Sequence, residues 1–220
     1  MKKFSWYDVA AFAIWLMPIV YLINIYPALP AKVALHFGLD GKPDRYGDSN
    51  ELLVPVGIMA VTSLGTYLLI NFLPRIDPKQ KAKYSADTFQ KMALGLVVFL
   101  SAINVVIIAA AEGDLQIEKI LFPMLGLFFA FLGNIMHSLK PNYFAGIRTH
   151  WTLESEETWT ATHRLAGKVW FAGGLIITVV TLLLTARAAN IVFLSLTGVM
   201  VVVPMVFSYI YFKNHRIKTK

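Results

Sequence analysis

Between Lys140 and Arg164 the chain places two Trp, one Tyr, two His, two Arg and three Glu within 25 residues. Ser155 can cap a helix whose first turn carries Glu156 and Glu157, acids suited to the positive end of a helix dipole. On that helix Glu156, Trp159, Thr160, His163 and Gly167 recur at i, i+3, i+4, i+7 and i+11, which puts them on one face. A carboxylate, an indole, a hydroxyl and an imidazole on one side allow three roles. They can anchor a helix at headgroup level, form a binding or signalling surface, or act as a Glu/His acid–base pair. Asn134 and His137 lie one turn apart just before this segment and add a polar pair at membrane depth. Interhelical hydrogen bonding is expected for them, as for Asn24, Asn71 and Asn104.

Other chemistries lack their residues. There is no cysteine, which removes disulfides, thiolate metal sites and Cys nucleophiles. His36, Asp40 and Asp44 are spaced by four, but Gly38, Gly41 and Pro43 interrupt any helix there, and HExxH is absent, so no metal is expected. Neither a Gly-x-Ser-x-Gly elbow nor a phosphate-cradling GxGxxG or GxxxxGK occurs. The sequence gives no sign of catalysis and calls for no cofactor.

The elements that must position these residues are membrane helices. Of the 220 residues 57% are hydrophobic and 15% charged, and the mean hydropathy is +0.60. A water-soluble domain carries about a quarter of its residues as charges, so a soluble globular enzyme is excluded. Cutting at Asp, Glu, Lys and Arg leaves six apolar runs, 9–31, 52–74, 92–111, 120–139, 169–186 and 188–212. About 20 helical residues cross the hydrocarbon core, which predicts six spans. The first is too long for a signal-peptide core, and Tyr26 and Leu29 stand where a cleavage site needs small residues, so it is expected to stay as an anchor. Pro18 and Pro204 fall near mid-span, where kinks are expected.

The formal charge of +7 has a direction. The amino tail, 75–91, 140–168 and the carboxyl tail hold 15 Lys and Arg, against 5 on the alternate connections. That bias assigns both termini to the cytoplasm and makes the excess positive charge an anchor to anionic lipid, with no direct nucleic-acid role. Outside, Val33, Leu35 and Phe37 alternate with Ala34 and His36 before Asp40-Gly41 and Lys42-Pro43-Asp44, which predicts a short β-hairpin-like cap. Inside, the helix from Ser155 to about Ala186 would be roughly 48 Å long, more than the ~30 Å hydrocarbon core, so its first third stands in the interface.

These motifs resemble a known family. Gly133-Asn134-Ile-Met136, then Pro141-Asn142-Tyr143-Phe-Ala-Gly146-Ile147-Arg148-Thr149-His150-Trp151-Thr152-Leu153, then Glu156-Glu-x-Trp159-x-x-Thr162-His163-Arg164-x-x-Gly167, is similar to the SdpI family of bacterial membrane proteins. Residues 29–47 look like the small uncharacterised module often found upstream of it. One departure is visible: the family's Arg-Thr-Pro-Trp reads Arg148-Thr149-His150-Trp151, exchanging a φ-locked residue for a titratable one. The resemblance implies a multi-pass plasma-membrane immunity protein that protects its cell against a secreted toxic peptide. It also implies a signal-transduction partner that holds a cytoplasmic repressor at the membrane.

The expectation is therefore an all-α integral membrane protein, with 1–75 as the upstream module and 76–220 as the SdpI-like part. The cytoplasmic binding site comprises Asn134, Asn142, Gly146, Arg148, Thr149, Trp151, Thr152, Glu156, Trp159, His163 and Arg164. Trp151 and Trp159 supply apolar anchors, while Arg148 and Arg164 pair with Glu156 or a partner's acid. The extracellular cap comprises His36, Asp40, Gly41, Pro43 and Asp44. A membrane enzyme or small-solute transporter using His137, Glu156 and His163 is the alternative, and it requires a cavity joining those residues to Asn134.

Overall fold

The computed structural model describes residues 5–38, 42–76, 86–113 and 115–218. Six of its helices are long and apolar enough to cross a membrane. The chain is a multi-pass membrane protein. In order come α1 (Trp6–Ile25), β1 (Lys32–Phe37), β2 (Pro43–Asp48), α2 (Leu53–Ile76), α3 (Ala86–Glu112), α4 (Glu118–Met136), the short α5 (His150–Glu154), α6 (Glu156–Leu183) and α7 (Ala186–Lys218). Helix α6 has 28 residues, about 42 Å, and so extends beyond the hydrocarbon as its length in sequence requires. Pro18 and Pro204 both lie inside continuous helices.

Helices α1, α2 and α3 pack together. Ala11, Tyr67, Ile70, Phe89, Ala93 and Val97 form one core, and Leu22, Val56, Ile108 and Ala111 contribute to a second nearer the outer end. Asp8 fixes the inner end of α1: one carboxylate oxygen accepts from the Ser5 amide at 2.8 Å and the other from the Tyr67 hydroxyl at 2.6 Å. Trp15 donates to the Ala60 carbonyl at 2.8 Å, and Asn104 of α3 donates to the Val56 carbonyl of α2 at 3.3 Å. Asn104 thus bonds between helices as expected. Asn24 instead donates to the Val20 carbonyl, one turn back on its own helix, and one bond of Asn71 runs likewise to the Tyr67 carbonyl.

The outer connection is the expected antiparallel hairpin, with Lys32 opposite Asp48 and Val33 opposite Gly47, and irregular register near His36. Val33 is the residue that seats it. Its side chain is 1% exposed and joins Leu22, Leu52, Val56, Ile108 and Ala111, so the strand caps the outer ends of α1 to α3. Lys32 and Asp48 pair at 2.8 Å, and the carboxylate holds the ammonium above its ordinary pKa. His36 Nδ1 lies 2.6 Å from Asp44 Oδ1, and His36, Pro43 and Asp44 are exposed. Asp40 and Gly41 lie outside the described residues.

Helices α4, α6 and α7 form the second group. Antiparallel α4 and α6 approach backbone to backbone where Gly126 meets Gly174 and Gly133 meets Gly167. A Cβ on Gly126 would sit 2.6 Å from the Gly174 carbonyl oxygen, and one on Gly167 would sit 2.9 Å from that of Gly133. Lipid provides little hydrophobic drive between helices, so close packing of small residues dominates, while one interhelical hydrogen bond contributes only ~0.6 kcal/mol. Trp170 donates to the Met200 carbonyl at 2.8 Å and adds α7 to the pair. Phe99 of α3 stacks on Phe128 of α4 at 4.2 Å where the two groups meet.

Gly174→Leu is expected to destabilise the purified protein by ~1–3 kcal/mol or prevent folding, as overpacking does. Gly198→Leu, at a helical position with nothing within 4 Å, should leave thermal unfolding in detergent unchanged. Equal melting of the two variants would refute the close approach as the packing determinant.

Candidate functional site

The chain between α4 and α6 is irregular, and its order comes from side chains. Asn142, 5% exposed, uses its whole amide: Nδ2 donates to the Lys140 and Ala145 carbonyls at 2.9 and 3.0 Å, and Oδ1 accepts from the Phe144 and Ala145 amides, each at 2.8 Å. This closes residues 140–145 into one turn. Thr149 then caps α5, its hydroxyl oxygen accepting from the Thr152 amide at 3.3 Å, while the Thr152 hydroxyl donates to the Ile147 carbonyl at 2.8 Å. His150 occupies the first helical position of α5, the place where proline is favoured in helices generally. The proline-to-histidine departure therefore leaves the turn intact, and an exposed His150–Glu154 pair at 3.0 Å spans the short helix.

The turn rests on two rings of α6. Trp159 and His163, each 1% exposed, stack with centroids 4.1 Å apart. The Trp159 indole N–H donates to the Leu139 carbonyl at 2.8 Å, and the Ile147 amide donates to His163 Nε2 at 3.0 Å. His163 Nδ1 lies 2.9 Å from the Trp159 carbonyl. Because Nε2 accepts, Nδ1 must donate, and the imidazole is held as one neutral tautomer with both nitrogens engaged. Gly146 crosses directly above. Its φ is +117°, and a Cβ there would press on the His163 ring and stand 3.1 Å from Trp159, so both conformation and space require glycine.

The structure divides the predicted residues into three groups. Asn142, Gly146, Thr149, Thr152, Trp159 and His163 build the fold-over itself. Arg148 and Glu156 are exposed and line a cavity of about 170 Å³ together with Tyr143 and Leu153 and with Asn142, Thr152 and Trp159 of the first group. Arg164 is elsewhere, in a cavity of about 310 Å³ with Asn134 and His137. Trp151 leaves the cluster to pack on Tyr209 of α7 at 5.0 Å.

The expected single face of α6 needs correction. Its buried arc runs through Thr158, Trp159, Thr162, His163, Ala166 and Gly167, whereas Glu156 and Thr160 are exposed. The Trp159 and His163 rings point at the overlying turn, so the inward arc is centred near Thr162 and leaves Glu156 at its rim.

His137, expected to bond across helices, caps α4 and is exposed, 3.3 Å from Ser138 Oγ. The cavity at Arg148 and Glu156 shares no lining residue with the one at Asn134, His137 and Arg164. His163 has no nitrogen left for a substrate. Sequence reasoning missed Ser208 of α7, fully buried, whose hydroxyl meets that of Thr149 at 3.0 Å. Nothing in the sequence set it apart from Ser195 and Thr197, the other small hydroxyl residues of the same apolar run.

The motif that makes this turn is shared. Residues 138–209, from the start of the fold-over through most of α7, match the SdpI/YfhL protein family. Over that stretch the chain is similar to the SdpI family. Residues 12–60, which contain the hairpin, match a domain of unknown function, DUF1648. The chain is 29% identical to "Immunity protein SdpI" of Bacillus subtilis (strain 168) over 194 residues, 87% of this chain and 89% of that protein. It is 36% identical to an uncharacterized protein of Archaeoglobus fulgidus over 75 residues, 30% of this chain and 38% of that one. No solved structure matches.

In the fold-over, His163→Ala leaves the Ile147 amide without its acceptor, and Trp159→Phe leaves the Leu139 carbonyl without its donor. Each is expected to cost ~1–3 kcal/mol. Glu156→Gln, at an exposed rim, should stay within about 0.5 kcal/mol. Thermal unfolding checks the order, and limited proteolysis should cut 140–149 faster in the first two variants only.

Proposed function

We propose that the chain is a membrane immunity protein that protects its cell against a secreted toxic peptide. The observation that carries this is similarity to an immunity protein along 87% of the chain, which takes in both the outer hairpin and the inner fold-over. The binding residues divide by side. His36, Pro43 and Asp44 present an exposed polar rim on the hairpin, where an extracellular peptide arrives. Arg148 and Glu156, with Tyr143 and Leu153, present a charged and apolar rim on the cytoplasmic face, suited to a repressor protein held at the membrane. Arg and Tyr are among the residue types that concentrate binding energy at protein interfaces.

The separation of the two faces by the bundle also suggests how occupancy could pass inward. The hairpin sits on α1 to α3, and the inner turn sits on α6, with α3 against α4 between them. A peptide that binds one packing of these helices better than another shifts their balance, and the repressor reads the inner rim.

Expression in a toxin-sensitive strain, with membrane potential recorded during challenge by the peptide, is the direct test. Protection is expected, and none at verified membrane abundance would overturn the reading. The double variant Arg148→Ala/Glu156→Gln should accumulate normally and still protect, yet recover about tenfold less repressor in a pull-down from toxin-treated membranes.

A further inference from the structure

The second cavity holds Lys168, which has no role so far, and Arg164, which the structure places away from Glu156. Arg164 and Lys168 stand one turn apart on α6, both exposed, and the cavity they line at about 310 Å³ also receives Asn134 and His137 from α4. The cavity exists because Gly133 and Gly167 let the two backbones touch, which brings side chains of both helices to the same opening. Its lining contains no carboxylate, and among the described residues no Asp or Glu pairs with either cation. Four groups able to donate hydrogen bonds, two of them permanently charged, therefore surround one volume.

Depth points to the source of the anion. Lys168 is the last charge before the apolar run 169–186, and Phe171, 44% exposed, lines the same cavity just beyond it. The cavity thus spans the boundary between headgroups and hydrocarbon on the side to which the charge bias assigns the cytoplasm. A soluble phosphate would use the cations alone, whereas a phospholipid would also lay an acyl chain along Phe171.

We infer that the groove between α4 and α6 at Arg164 and Lys168 is a binding site for the phosphate of an anionic inner-leaflet phospholipid. Arg164 and Lys168 neutralise the phosphodiester, and the Asn134 amide with His137 completes its hydrogen bonding. The inference is independent of the immunity reading, since the repressor rim proposed above is formed by Arg148, Glu156, Tyr143 and Leu153 in the other cavity.

The test is native mass spectrometry and thermal unfolding of the purified full chain with phosphatidylglycerol, phosphatidylcholine or inorganic phosphate. Phosphatidylglycerol should bind and raise Tm, while phosphatidylcholine and inorganic phosphate should not. The Arg164→Gln/Lys168→Gln double variant, altered at two exposed positions, should fold with the same helical content and bind phosphatidylglycerol about 30-fold more weakly. Arg148→Gln, a cation of the other cavity, should bind it as the unaltered protein does.

An equal effect of phosphatidylcholine or of inorganic phosphate overturns the assignment. So does undiminished phosphatidylglycerol binding by the double variant, or an equal loss in Arg148→Gln. If the double variant fails to fold, Asn134→Leu, which keeps both cations and fills the opening, must weaken phosphatidylglycerol binding for the inference to stand.

Discussion

An irregular stretch of backbone at a membrane boundary must satisfy its own polar groups, and the pairing of Trp159 and His163 with the chain above them does that here. Leu139 and Ile147 lie at the two ends of the turn, and each gives one backbone group to a ring of α6. Asn142 completes the middle with four hydrogen bonds. Lipid offers nothing in exchange for a lost partner, so the turn either folds in this way or leaves several groups unpaired together. That constraint accounts for the Asn, Gly, Thr, Trp and His of this segment in an otherwise apolar chain.

The same constraint separates residues that build the site from residues that present it. A histidine with both nitrogens engaged and 1% exposure cannot also serve as a general base. Glu156, only seven residues earlier in the same helix, is exposed at the rim. Their spacing suggests a common face, but the overlying turn shifts the buried arc by a fraction of a helical turn. The chemistry offered to a partner comes from Arg148, Glu156 and Tyr143, which the buried network holds in place.

Two kinds of packing support this arrangement. On the outer side a single buried valine, Val33, seats the hairpin on three helices, so the exposed cap is tied to the bundle through an apolar contact that binding at its rim does not disturb. On the inner side the glycine contacts of α4 and α6 bring two helices to backbone distance. They place Asn134 and His137 beside Arg164 and Lys168. Small residues thus create both the helix pair and the basic opening at its end.

Much of this protein is legible in the order of its residues. Six apolar runs and the alternation around Val33 determine the spans and the hairpin, and the 15 to 5 division of basic residues predicts their direction, because hydrophobicity, charge asymmetry and strand period are local properties. The Ser155 cap is legible for the same reason, whereas the Thr149 cap appears only in the structure.

What the tertiary structure decided is which side chains face one another. Gly126, Gly133, Gly167 and Gly174 are spaced by seven in each helix, but spacing alone does not reveal that they meet as antiparallel pairs. Arg148 and Arg164 look equivalent in sequence and lie in different cavities, and Ser208 reaches Thr149 across 59 residues. Those pairings depend on contacts between segments distant in the chain, set by how closely the backbones can approach and by which polar groups lipid leaves unsatisfied.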